Sequence, residues 1–265
     1  MKSIVIIPAR MAATRFPGKP LAKIANTSMI AHCFLRAKMA KKIDEVYVAT
    51  CDYEIADEIQ QIGGQVIMTS ADHERATDRT AEAVFNLECI NKNRIDCVVM
   101  LQGDEPLINP DDLDSLISNH EKYPDVPVFN LTQLIDNDHD FQNINIVKLI
   151  TNLYSDVLAF SREPIPSARF KGLEGFQPKK QLGIISFQRQ ALIDFSRLPQ
   201  TPLEKIESID MMRLIEHGRS IKTVLTDSFL QGVDTPDDAK KVELIMLKDT
   251  LYHQYKKFEK TVEAT

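Results

Sequence analysis

Four short runs rich in Val and Ile, residues 3–8, 45–50, 65–69 and 96–101, alternate with three segments of helical spacing, 28–42, 53–62 and 77–87. Runs this short and this apolar read as strands buried on both faces, the situation of a parallel sheet. Parallel neighbours need a crossover, and the intervening helices supply one. In 28–42 the apolar residues Ile30, Phe34 and Ala37 share a face, with Thr27 or Ser28 placed to cap the start. Gly63-Gly64 stops the second helix. The β-α-β-α-β-α-β order predicts an α/β fold built on a doubly wound, mostly parallel sheet. Ligands of such sheets bind beyond the carboxyl ends of the strands. The segments 10–19 and 102–106 fall there.

After Tyr123 the pattern changes. Residues 126–135, 144–150 and 156–160 read as strands without helices between them, which suggests an antiparallel or mixed-β insertion and a candidate dimerisation lobe, about 124–200. The stretch 167–180 is polar, carries Gly172 and Gly175, and reads as a mobile loop. Strands are expected at 182–187, 221–225 and 229–233. A helix over 202–217 starts at Pro202 and ends at Gly218. From Thr235 a long helix runs onward, with Asp237 and Asp238 suited to its first turn. The 265 residues suit one domain over 1–250 that includes the lobe, followed by a helical tail at 251–265.

Composition narrows the function. A net charge of -6 argues against a broad nucleic-acid footprint while leaving room for a local basic pocket. No apolar stretch approaches the roughly 20 residues that span a bilayer, so no membrane insertion is expected. Met1-Lys2-Ser3 leads straight into a strand, with no evident signal peptide. Cys33, Cys51, Cys89 and Cys97 form no C-x-x-C pair and read as small hydrophobes. The expectation is a reduced, cytoplasmic protein.

Three strand-exit segments carry chemistry. In the first, Arg10, Arg15 and Lys19 surround Pro17-Gly18. The spacing is that of neither a Walker A loop nor G-x-G-x-x-G. Three cations can still neutralise a triphosphate, and Gly18 lets the backbone come close. The alternative is a solvated basic turn. In the second, Gln102-Gly-Asp104-Glu-Pro106, a carboxylate at a buried strand end must be paired or bind a metal. Asp104 is the better metal candidate, with Glu105 pointing away; the alternative is a capped turn before the next helix. In the third, Val233-Asp234-Thr-Pro-Asp-Asp238, Asp234 is a second metal candidate. Asp-Thr-Pro is also an ordinary helix start, in which Thr235 caps and Asp234 merely precedes it. Cations for phosphate beside acids for a divalent ion make a nucleotide-handling site.

The motifs IPAR-x3-TR-x-PGKPL, QGDEP and VDTPDD, taken together, resemble the 3-deoxy-manno-octulosonate cytidylyltransferase (CMP-Kdo synthetase) family. Further similarities run in order along the chain: Ile30-Ala-His32, Ala71-Asp-His73, Val147-Lys148, Phe160-Ser-Arg162, Leu182-Gly-Ile184 and Pro202-Leu-Glu204. The resemblance implies a Rossmann-like nucleotidyltransferase fold with a dimerisation lobe, and a homodimer. It implies attack of the anomeric hydroxyl of a 2-keto-3-deoxy sugar acid on the α-phosphate of CTP, with magnesium as cofactor, for lipopolysaccharide biosynthesis. Lys19, Arg10 and Asp104 are then the catalytic residues. Arg10, Arg15, Gly18, Lys19, Thr77, Arg79 and Gln102 bind nucleotide, and Asp104 and Asp234 hold the metal. Gln102, Arg162, Gln181, Ile185, Glu204, Asp210 and Met211 fall on the sugar side.

Departures from the family pattern cluster. Arg75-Ala76-Thr77-Asp78-Arg79 stands where the family has Ser-Gly-Thr-Glu/Asp-Arg, so Ala76 adds a Cβ near the base. Gln181-Leu-Gly-Ile-Ile185 replaces His-Leu-Gly-Ile-Tyr, and Ile209-Asp-Met211-Met-Arg213 replaces Leu-Glu-Gln-Leu-Arg. These changes imply an altered acceptor pocket and a related acceptor, such as an amino-modified Kdo, as the nearest alternative. A catalytically silent nucleotide-sugar binder is the alternative of another class. Lys19, Asp104 and Asp234 argue against it, because a binder has no need of both metal carboxylates.

Overall fold

The computed structural model describes residues 1–12, 16–169 and 172–262. The chain divides into two compact units, 1–114 with 228–265, and 115–227. Residues 115–227 form the inserted unit, and the C-terminal segment lies in the first.

The first unit opens with β1 (Ser3–Pro8), whose six residues are all buried. A short 3₁₀ turn, Lys19–Leu21, follows, then a hairpin of β2 (Lys23–Ile24) and β3 (Thr27–Ser28). Helix α1 (Met29–Ala37) is capped by Ser28, whose hydroxyl accepts from the Ala31 amide. Then come β4 (Glu45–Thr50), α2 (Tyr53–Gln61), β5 (Gln65–Met68), α3 (Ala76–Asn91), β6 (Cys97–Leu101) and α4 (Pro110–Lys122), within which the division between units falls. β1 pairs in parallel with both β4 and β6, and β4 with β5. The order β6-β1-β4-β5 reverses direction at β1. That reversal opens a crevice beyond the carboxyl ends of β1 and β6, where ligands bind in folds of this kind.

Burial holds this frame together. Ile4 to Ile7 and Val98 to Leu101 have no exposed surface. Each such side chain is worth roughly 1.5–3 kcal/mol relative to water. Cys33 and Cys97 are part of the same interior, and burial pushes the Cys97 thiol up to about 12. Cys51 is half-buried and Cys89 is exposed. At Gly103 an added Cβ would lie 2.9 Å from the Ile30 side chain, so the chain leaving β6 runs close over α1.

The inserted unit contains β7 (Val128–Leu134), α5 (Asp138–Gln142), β8 (Lys148–Thr151), β9 (Val157–Ser161), β10 (Lys179–Gln188), α6 (Arg189–Arg197), α7 (Pro202–Glu207), α8 (Met212–Glu216) and β11 (Lys222–Leu225). Its pairing is mixed: β10 is antiparallel to β7 and β8, β8 is antiparallel to β9, and β11 is parallel to β7. The register of β10 on β7 shifts between Gln181 and Ile185. The buried Asn130 side chain fills that irregularity, donating to the carbonyls of Leu182 and Ile184. Lys148 is buried and points its ammonium at the carbonyls of Asn143, Ile146 and Arg162; burial lowers its pKa.

The chain re-enters the first unit with α9 (Pro236–Met246) and α10 (Thr250–Val262). Several expected boundaries change. Residues 202–217 are two helices, because Ser208 takes φ 56 and breaks the ladder. The long C-terminal helix is also two, with the Asp249 carboxylate accepting from the Leu251 amide at the restart. Residues 229–233 are no strand, and α5 lies between β7 and β8. Among the described residues no helix is long and apolar enough to cross a membrane.

Candidate active site

The loop after β1 reaches the crevice because its backbone is tied down. The Met11 amide donates to the Asp52 carboxylate at 2.8 Å, from the end of β4. Gly18 adopts φ 69 before the 3₁₀ turn, a conformation that side chains disfavour. Pro20 is pre-set for the start of that turn. The result aims Lys19 inward, with 12% of its side chain exposed.

Lys19 Nζ donates to Asp104 Oδ2 at 2.7 Å and to Asp234 Oδ1 at 3.2 Å. Three residues spread over 215 positions thus meet at one point. Burial works to lower the lysine pKa, but the two carboxylates outweigh it and hold the ammonium above its ordinary value. Asp104 sits in the turn after β6. The Val233 amide donates to the Asp104 carbonyl at 2.9 Å, which draws the 233–234 segment to that strand end. Next to it, Thr235 and Asp238 form a reciprocal capping box at the start of α9. Asp234 therefore precedes the cap, as a helix start would have it, and also reaches Lys19.

A cleft of about 370 Å³ opens over this triad, lined by Arg10, Lys19, Arg75, Arg79, Gln102 and Asp234 among others. Its cations suit a polyanion and its two aspartates suit a hard cation. Arg79 is buried and spans Thr69 Oγ1 at 2.6 Å and the Ser70 carbonyl at 3.0 Å, so it shapes the wall of the cleft. Arg10 Nη1 donates to the His73 carbonyl at 3.4 Å. Thr77 is buried in the first turn of α3, its hydroxyl on Met100 Sδ. Ala76 lines the cleft at the start of the same helix. Arg15 lies outside the described residues.

Sequence reasoning missed three contributors: Asp52, which anchors the loop, and His73 with Glu82. The His73 ring contacts the Glu82 carboxylate, which also accepts from the Ser70 amide. That clasp fixes the turn whose carbonyls hold Arg79 and Arg10. An acidic residue just past a strand end was the available signal for Asp52.

Six of the residues expected on the sugar side lie in the inserted unit and make contacts of their own there. Glu204 has no exposed surface, and both its oxygens accept from Arg213, at 2.8 and 2.6 Å. Met211 and Ile185 are buried in the core. Gln181 Nε2 donates to Asn130 Oδ1 at 2.8 Å, bracing the β7–β10 irregularity. Arg162 donates to the carbonyls of Glu207, Ile144 and Ser208. Asp210 is half-buried, and its carbonyl accepts from the Arg213 amide. Ile185 and Met211 present no polar group, and their burial makes them part of the packing of this unit.

Residues 4–221 fit the family model described as cytidylyltransferase. A 3-deoxy-manno-octulosonate cytidylyltransferase of Thermodesulfovibrio yellowstonii is 43% identical over 249 residues, 92% of this chain and 97% of that protein. One of the same description from Escherichia coli is 36% identical, covering 94% of this chain and 97% of its own length. The solved structure of CMP:2-keto-3-deoxy-manno-octonic acid synthetase complexed with CTP superposes with a TM-score of 0.84 at 36% identity, over 94% of this chain and 99% of that one. A cation cleft and paired carboxylates at a sheet reversal, with relatives alike over nearly their whole length, have one reading: the chain belongs to the cytidylyltransferase family.

Proposed function

We propose that this protein transfers CMP from CTP to the anomeric hydroxyl of 3-deoxy-D-manno-octulosonate, giving CMP-Kdo and pyrophosphate for lipopolysaccharide biosynthesis. The observation that carries it is the Lys19 ammonium held between Asp104 and Asp234 at the mouth of a cation-lined cleft. The sugar oxygen bonds to the α-phosphorus, the bond to pyrophosphate breaks and the hydroxyl proton is released. Such displacements need positioning and charge neutralisation more than covalent chemistry from the protein.

Two carboxylates that close on an ammonium are also a donor set for magnesium, which takes one or two protein carboxylates and completes its shell with phosphate oxygens and water. Asp104 and Asp234 would hold that ion, which when bound neutralises phosphate charge. Among the described residues no group of three or more His, Cys, Asp or Glu forms a ready-made metal cage. Arg10 and Arg79 place cations along the cleft, and Lys19 supplies a flexible positive charge where the pyrophosphate leaves.

Mixing the protein with CTP, Kdo and magnesium tests this reading: pyrophosphate and CMP-Kdo are expected in equal amounts. Pyrophosphate formed without CMP-Kdo overturns the acceptor, and no pyrophosphate overturns the reaction. A charge that matters most as pyrophosphate departs acts on the transition state. Lys19→Ala should therefore lower kcat by more than it raises the KM for CTP. A change confined to KM would mean that the loop only docks nucleotide.

We further infer a cytoplasmic homodimer assembled through the inserted unit. The family resemblance supports it, as do the exposed apolar side chains of Leu153, Tyr154 and Leu158 around the β8–β9 turn. Sedimentation at micromolar protein should give twice the chain mass. A monomer there, or a dimer that survives Leu153→Asp with Leu158→Asp unchanged, overturns this interface.

A further inference from the structure

The hairpin that follows the Lys19 turn is held in an unfavourable shape by the C-terminal helices. β2 and β3 are joined by two residues, Ala25 and Asn26, at φ 47 and 67. A two-residue turn with both φ positive is the mirror-image type that glycine and asparagine favour. Asn26 suits its place, but Ala25 carries a Cβ in the left-handed region, which alanine resists. Ala25 is nevertheless buried.

Both polar groups of its backbone are taken by side chains more than 200 residues away. The Ala25 amide donates to Glu243 Oε1 of α9 at 2.7 Å. Tyr252 of α10 donates its hydroxyl to the Ala25 carbonyl at 3.0 Å. A third tie holds the preceding residue: His32 Nε2 lies 2.7 Å from the Ile24 carbonyl, and Tyr255 Oη lies 2.6 Å from His32 Nδ1. A carbonyl only accepts, so Nε2 carries the proton and Nδ1 accepts from the tyrosine. Burial keeps this ring neutral, with its pKa near 4.

The clamped turn is continuous with the site. The Ala22 amide donates to the Lys19 carbonyl, and the Ala22 carbonyl accepts from the Met29 amide at 2.9 Å. Helix α9 meanwhile follows directly on Asp234 and carries Glu243 two turns further on. One helix thus fixes a carboxylate that receives Lys19 and the turn that positions Lys19. Val242 and Met246 of α9 and Tyr252 of α10 pack with Ile24 and Phe16, the latter from the same loop.

We propose that Glu243 and Tyr252 are positioning residues for nucleotidyl transfer: by holding Ala25 in a left-handed turn they set the Lys19 turn against Asp234. This rests on the reading that Lys19 acts on the triphosphate. A small displacement of a charge from its working place costs rate more than binding.

The test uses full-length protein with CTP and Kdo. Tyr252→Phe removes one hydroxyl, and Glu243→Ala removes the other tie. Together they should lower kcat about tenfold or more while the KM for CTP moves less than about threefold. Glu243→Gln keeps an acceptor oxygen and should retain near-normal kcat. Ala25→Gly alone should be close to wild type. Added to the double variant it should recover at least half of the lost kcat, because glycine takes this turn unaided. Undiminished kcat in the double variant overturns the proposal. So does a loss that Ala25→Gly leaves in place while melting temperature and activity fall together, since the helices would then serve docking alone. If the double variant does not fold, Tyr252→Phe with and without Ala25→Gly decides by the same criteria. Hydrogen exchange of the amides of residues 19–25 needs no substrate: faster exchange in Tyr252→Phe supports the clamp, and unchanged exchange overturns it. Wild-type protein inert toward CTP and Kdo, with the exchange result as expected, would sink the assigned reaction and leave the clamp standing.

Discussion

Replacing Asp104 by Asn is expected to lower CMP transfer by a factor of about 10²–10³, the size of losing a preorganised charge contact at a reacting phosphate. Asn keeps the shape and one acceptor oxygen but gives up the charge that binds Lys19 at 2.7 Å and would bind a metal. The fold should survive. Asp104 retains about a third of its side-chain exposure, and pairs of this kind contribute little to stability, on the order of 1 kcal/mol or less. Melting temperature should therefore stay within a few degrees of wild type. Asp234→Asn should act in the same direction, although its carboxylate is more exposed and lies 3.2 Å from Lys19. Near-normal turnover of Asp234→Asn at limiting magnesium would reduce that residue to the approach to a helix. The same result for Asp104→Asn would remove the metal assignment altogether.

Arg213→Met should destabilise the protein by about 3–5 kcal/mol, because it strands a carboxylate in the interior. Glu204 has no exposed surface and both its oxygens accept from that arginine, one of them also from the Thr201 amide, and the arginine lies 4.2 Å over the Phe195 ring. For a protein of this size the melting temperature should drop by roughly 6–20 °C. Removing both charges, with Glu204→Leu and Arg213→Met, should recover most of the loss, since a well-packed apolar pair often replaces a buried ion pair at no cost. The double variant also asks whether Glu204 meets the sugar. Restored stability with an unchanged KM for Kdo places Glu204 in the scaffold. Restored stability with a raised KM returns it to the acceptor pocket.

The parallel frame was legible in the chain because its strands are near-continuous apolar runs and its helices have a 3.6-residue period, signals carried within a dozen residues. From that frame alone the strand-exit positions of Lys19 and Asp104 followed. The capping of α1 by Ser28 and of α9 by Thr235 was equally local, since a cap is a hydrogen bond across three residues. Element breaks were less legible. Nothing in Pro202–Ser208–Gly218 announces that Ser208 turns left-handed, as serine does so against its own preference.

Asp234 marks the limit of local reasoning. As sequence, Asp-Thr-Pro taken alone favours a helix start over a metal ligand; in the structure Asp234 precedes the cap of α9 and also meets Lys19. What decides is the Val233–Asp104 backbone bond, a contact across 129 positions that no periodicity encodes. The sugar-side positions meet the complementary limit. At 185 and 211 the sequence shows an apolar residue but not its burial, which only the assembled core decides. Short-range patterning determined the strands and helices of the parallel frame, the caps and the candidate phosphate loop, because those depend on neighbours in the chain. The pairing of Lys19 with two distant aspartates, the burial of Glu204 on Arg213 and the clamp on Ala25 were decided by tertiary structure. Each is a charge or hydrogen bond between segments that meet only after the core has formed.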